Sequence, residues 1–124
     1  MLKSAACLAF LIGLAHSVLG ERYILIRLFR RDNLPKLLGT DFFTKGTLRF
    51  AWHLTTTAWW GFAVILVALS EDLTNMKTAL LYIISVVFFV SGLMSAGFTR
   101  LKHLSWIIFF LIAGLSAYSA TYGA

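Results

Sequence analysis

The stretch RFAWHLTTTAWWGFAVILVAL, residues 49–69, decides the fold. After Arg49 it carries no charged residue, and at about 1.5 Å per helical residue it is long enough to cross a hydrocarbon layer of roughly 30 Å. Its first half nevertheless holds His53, Thr55, Thr56 and Thr57, where a helix facing only lipid would carry aliphatic side chains. The stretch therefore poses two questions, one about solvent and one about the polar groups set within it.

The rest of the chain answers the first. Hydrophobic residues make up 60% of its 124 residues and charged residues 13%, with a mean hydropathy of +0.84. A water-soluble domain of this size has too much surface for its volume to hide so much apolar matter. Apolar segments fall at residues 4–20, 50–69, 78–98 and 103–121, separated by turn signals at Gly20, Ser70-Glu71-Asp72 and Thr99-Arg100. Lipid offers no partner to backbone amides, so each segment must close its own hydrogen bonds as a helix. The expected fold is all-α, a single polytopic membrane domain over residues 1–124. Four transmembrane helices form an antiparallel bundle, with a basic, partly amphipathic first loop at about 21–49. Thr47 is the expected N-cap of the second helix, and Asp72 or Thr74 that of the third. Pro35 ends any helix that runs on from the first span.

Charge sets the expected orientation. The first loop holds Arg22, Arg27, Arg30, Arg31, Lys36, Lys45 and Arg49, and the third Arg100 and Lys102, nine of the eleven basic residues. The positive-inside rule places these loops in the cytoplasm and both termini outside, in a bacterial-type inner membrane. The net charge of +6 flanks apolar spans, so its anion is the headgroup layer and not nucleic acid. Arg22, Arg27, Arg30 and Arg31 form a patch for anionic lipid or a docking partner, on a segment that either lies at the headgroup boundary or prolongs the first span. Residues 1–17 also read as a signal peptide, with Ala15-His16-Ser17 at its end, but cleavage there would export the basic loop. The lone Cys7 excludes an intrachain disulfide.

The three histidines fall at the same end of the expected bundle. His16, His53 and His103 each stand three or four residues inside a marker of the span end, at Gly20, Arg49 and Arg100 respectively. Glu21 lies beside His16, and Ser17, Thr56, Thr57, Ser95 and Thr99 fill a supporting polar layer. His53, Thr56, Thr57 and Trp60 share one helical stripe, and His103, Trp106 and Phe110 another. Ala5, Ala9, Gly13, His16, Ser17 and Gly20 make a stripe of mostly small residues, which lets helix backbones approach closely and turns His16 inward. The stretch His16-Ser17-Val18-Leu19-Gly20-Glu21-Arg22 concentrates this polarity at one span end.

Such a cluster suits several chemistries. Imidazoles from separate helices ligate a metal ion or haem iron, with Glu21 as fourth ligand or orienting group. Histidine, threonine and glutamate also relay protons without a metal. The sequence holds no CxxC, HExxH, phosphate loop or nucleophile elbow, and no span has a central charge or a proline break. The leading expectation is thus a structural or accessory subunit, self-associating or part of a larger membrane complex. A metal- or haem-binding protein built on His16, His53, His103 and Glu21 is the alternative, and a small oligomeric transporter or channel the third.

Overall fold

The computed structural model describes residues 1–71 and 73–123, and the described residues are helical, without strands. Helices α1 (Leu2–Leu28), α2 (Phe42–Ala68), α3 (Met76–Thr99) and α4 (Ser105–Tyr122) are each long and apolar enough to cross a membrane. A short 3-10 turn, Leu37–Gly39, interrupts the connection between α1 and α2.

Helix ends depart from the hydropathy boundaries for reasons of packing. α1 does not stop at Gly20 but continues through a π-helical turn, Gly20–Leu25, into Ile26–Leu28. The first loop thus begins as a prolongation of the first span, and it leaves the helix before Pro35. α2 starts at Phe42, well before the apolar run, because its polar first turns lie against the α3–α4 turn. Gly46 meets the backbone carbonyl of Phe98 there, and the guanidinium of Arg100 sits 4.3 Å from the Phe42 ring centroid. Thr47, expected as a cap, is therefore inside α2, and its buried hydroxyl has no partner among the described residues. Asn75 rather than Thr74 precedes α3, and its side chain makes no capping bond. Asp72, the other expected cap, lies outside the described residues.

Among the described residues, backbone contacts join only consecutive helices, so α1, α2, α3 and α4 stand in a row. Between α1 and α2 the indole N–H of Trp60 donates to the Phe10 carbonyl, and that of Trp52 to the His16 carbonyl, each at 3.1 Å. Residue numbers thus fall along α2 as they rise along α1. The small-residue stripe of α1 is used here, with Gly13 and Gly20 lying directly under Trp60 and Trp52. α3 meets α4 through Ser85, which donates to the Ala113 carbonyl at 2.8 Å, and through Gly92 under the Phe110 ring. At the far end Lys3 pairs with Glu71 at 2.8 Å. Its ammonium, by hydrogen bond and by charge, holds the Glu71 carboxyl below its ordinary range. Both partners are exposed, so the bridge adds little stability.

Burial is inverted relative to a water-soluble protein. The most enclosed side chains are Ser95 and Thr99, and the buried apolar set is mostly alanine, whereas Phe62, Val86 and Leu115 face outward. Such an arrangement hides polar groups between helices and turns aliphatic side chains outward, which is compatible with an apolar surrounding.

The glycine contacts give a paired test. A Cβ on Gly46 would overlap a backbone carbonyl, whereas one on Gly97 meets nothing. Gly46→Ala is expected to destabilise by about 1–3 kcal/mol as an overpacked site. Gly97→Ala is expected to be neutral or to stabilise by up to ~1 kcal/mol through helix propensity. Unfolding of the detergent-solubilised protein by increasing SDS fraction, followed by circular dichroism, measures both.

Candidate functional site

On α1, Ser17 and Glu21 are one helical turn apart; on α2, Arg49 and His53 are too. The two helices cross so that these pairs interlock. Glu21 receives Arg49 in bidentate fashion, from Nη2 at 2.6 Å and from Nε at 3.1 Å. The same carboxylate lies 3.2 Å from His53 Nε2, and Ser17 Oγ lies 2.6 Å from His53 Nδ1. Arg49 is held from behind by the Phe29 ring, 5.0 Å away.

The donors and acceptors fix one direction for this chain of bonds. A carboxylate only accepts, so in the neutral imidazole the His53 proton sits on Nε2 and is donated to Glu21. Nδ1 is then left with a lone pair and accepts the Ser17 hydroxyl proton. Ser17 Oγ keeps room for one donor, and the buried Thr56 hydroxyl stands 3.0 Å away. The one Thr56 hydroxyl proton is shared between Ser17 Oγ and the Gly13 carbonyl, 3.3 Å away. The network runs from Thr56 through Ser17 and His53 to Glu21, with Arg49 neutralising the far end.

This network forms part of two cavities. One, of about 600 Å³, is a groove along α2 and α3 that starts at Ser17, His53 and Thr57 and continues over Trp60, Val64 and Val90. Another, of about 340 Å³, shares Ser17 and His53 and adds Glu21, Arg22 and Ile26. Ser17 and His53 thus stand where an apolar groove meets a smaller vestibule that Glu21 and Arg22 also line.

The other two expected ligands lie elsewhere. His16 is stacked flat on Trp52, with centroids 4.5 Å apart, and edge-on to Trp59 at 5.0 Å. Its Nε2 is buried and has no partner among the described residues. His103 lies between Phe43 and Phe50, with Nδ1 2.8 Å from Ser105 Oγ. Ser105 in turn is 2.7 Å from Ser95 Oγ, and the His103 N–H donates to Thr99 Oγ1. A row of helices cannot bring three histidines from α1, α2 and the α3–α4 turn to one point. Of the expected set only Glu21 and His53 meet, and no group of three His, Cys, Asp or Glu suited to a metal exists among the described residues.

The polar layer divides in the same way. Ser17 and Thr56 join His53, while Ser95 and Thr99 join His103. Thr57 bonds the His53 carbonyl of its own helix at 3.2 Å and Met94 Sδ at 3.4 Å. Arg22 and Arg27 flank the Tyr23 ring, each 5.7 Å from its centroid. Arg30 and Arg31 follow in the exposed turn. Arg49 is the member that the sequence reading assigned only to the basic loop. Its signal was the equal four-residue spacing of Ser17–Glu21 and Arg49–His53 on two helices.

Compared with known proteins, the chain matches no family model, no curated sequence and no solved structure.

The ion pair is testable by a double-mutant cycle. Glu21→Gln and Arg49→Met are each expected to destabilise, since either leaves its partner unpaired at an apolar boundary. The double variant should lose less than the summed singles, with a coupling of about 1–3 kcal/mol. Additive losses in SDS unfolding would show that the two side chains do not interact.

Proposed function

We propose that this chain is an integral membrane protein whose groove binds a single-chain anionic amphiphile, with the acyl chain along α2 and α3 and the head at the Ser17–His53–Glu21–Arg49 network. The four helices cross the bilayer as an antiparallel set, with the basic first and third loops on the cytoplasmic side of an inner membrane. The observation that carries this reading is the meeting, at Ser17 and His53, of an apolar groove with a vestibule that Glu21 and Arg22 also line. From His53 to Val64 the groove follows α2 for about 16 Å, close to half of the ~30 Å hydrocarbon thickness. An acyl chain of one leaflet fits that length. The vestibule is lined by Arg22 and Glu21; Arg49 pairs with the Glu21 carboxylate, which leaves the Arg22 guanidinium as the lining cation to meet a phosphate or carboxylate head. Arg27, Arg30 and Arg31 prolong this cationic surface toward the headgroups, each worth about 1 kcal/mol of attraction to an anionic leaflet.

A specific feature favours a second role beside this one. The row arrangement leaves the outer faces of α1 and α4 without partners in the chain. Those faces suit packing in a homo-oligomer or as an accessory subunit of a larger membrane complex. Metal and haem ligation form no part of the proposal, because the histidines stand apart.

Native mass spectrometry of the detergent-solubilised protein with lysophosphatidylglycerol tests the ligand reading. A one-to-one adduct is expected, lost in Val90→Trp, which fills the groove without touching the network. Absence of the adduct, or an adduct indifferent to Val90→Trp, overturns the groove assignment. Orientation is tested separately by single cysteines in a Cys7→Ser background. In intact cells a membrane-impermeant maleimide should label Leu73→Cys, and Lys36→Cys only after lysis; the reverse pattern would invert the topology.

A further inference from the structure

We propose that Ser17 is a nucleophile, and that the protein cleaves or transfers the acyl group of an ester-linked amphiphile bound in the groove. The substrate class rests on the groove reading above, but the nucleophile rests on geometry of its own. Ser17 Oγ lies 2.6 Å from His53 Nδ1, and His53 Nε2 lies 3.2 Å from Glu21. That is the order of a nucleophile, a base and an orienting carboxylate, which is recognised by geometry and not by position in the chain. Here the two ring nitrogens exchange their usual partners, since Nδ1 faces the serine. The bond directions derived above place a lone pair on the nitrogen that must take the Ser17 proton.

Two further features point the same way. Ser17 stands at the junction of groove and vestibule, where the ester of a bound single-chain lipid lies between acyl chain and charged head. The π-helical turn begins at Gly20, within one turn of Ser17, and such turns recur at functional sites.

The reaction balances with water as the only co-reactant. Ser17 Oγ bonds to the ester carbonyl carbon as its proton passes to His53 Nδ1, and the carbonyl π electrons move onto oxygen. Collapse of that intermediate breaks the bond to the alcohol oxygen, which leaves with the proton from His53. Water then attacks the acyl-serine, returns a proton through His53 to Ser17 Oγ, and releases the fatty acid. Glu21, held by Arg49, orients the ring and stabilises its cationic form, so it is a positioning residue.

The second serine–histidine pair supplies an internal control. Ser105 is 2.8 Å from His103 Nδ1, but its hydroxyl is shared with Ser95. No carboxylate partners His103 among the described residues, so Ser105 is expected to be inert.

The test treats the purified full chain in mild detergent with a dodecyl fluorophosphonate and follows intact mass and peptide mapping. One adduct on Ser17 is expected, with loss of fluoride. Labelling should disappear in Ser17→Ala, fall by about 100-fold or more in His53→Gln, as for loss of a general base, and persist in Ser105→Ala. Circular dichroism verifies that each variant is helical; if His53→Gln is not, mapping on the wild-type chain still decides. No adduct on Ser17 in the folded wild type, or labelling of helical His53→Gln at the wild-type rate, overturns the proposal. An amphiphile retained in native mass spectrometry without any Ser17 adduct would remove the nucleophile and leave the groove. Equal labelling by short- and long-chain probes, with no retained amphiphile, would do the opposite.

Discussion

The pairing of Glu21 with Arg49 is the constraint on which the basic end of the molecule depends. A lone carboxylate or guanidinium at an apolar boundary is costly, because few solvent dipoles remain to stabilise it. Joined in a bidentate pair, the two charges lose much of that penalty only if α1 and α2 stay in one register. That register sets the rest of the site. It brings His53 under Glu21, which fixes the imidazole proton on Nε2, and this in turn leaves Nδ1 free to accept from Ser17. It also presses Trp52 onto Gly20, where any larger residue would force the helices apart. One electrostatic contact and one steric contact, a residue apart on α1, therefore specify the same alignment.

Across the rest of the row, the helices meet through small residues and backbone acceptors. Gly61 admits Val87, Gly92 admits Phe110, and Ser85 donates to a carbonyl of α4. Such contacts gain dispersion energy at close approach without relying on a hydrophobic force that lipid would not supply. They are local to each consecutive pair, so nothing draws α4 back onto α1. The groove between α2 and α3 follows from that openness. A closed four-helix core would fill the same space with side chains.

The sequence made the four apolar helices legible, because some twenty apolar residues without a charge leave few other ways to close the backbone hydrogen bonds. It placed the ends less well. The polar turns of residues 42–49 read as loop, yet they are helical because Gly46 and Phe42 pack on the α3–α4 turn. The π turn after Leu19 has no hydropathy signature at all. For the site, the stripe through His53, Thr56 and Thr57 and the polarity of residues 16–22 were both visible. Periodicity identifies a face of a helix but not the neighbour that faces it. His16 and His103 were equal candidates with His53 by depth, and only the row arrangement separates them. His16 lies between indoles and His103 between phenylalanines.

The two serine–histidine pairs show how far local chemistry depends on what lies beyond the pair. Ser105 opens α4 and His103 lies two residues before it, and their bond belongs to a turn in which Thr99 and Ser95 satisfy the remaining groups. Two adjacent left-handed residues, Arg100 and Leu101, carry a backbone cost of order 1–3 kcal/mol each, and this polar knot holds them. Its hydrogen bonds are spent on shape. Ser17 and His53 come from different helices, and their alignment is already secured by the ion pair and the Trp52–Gly20 contact. Their bond is not needed to close a turn, and the serine oxygen lies on the wall of a groove instead of inside a knot. A polar group whose position is guaranteed by others is free to exchange a proton without unfolding its surroundings. That separation of structural from reactive hydrogen bonds sets the Ser17–His53 pair apart from the Ser105–His103 pair it resembles in distance.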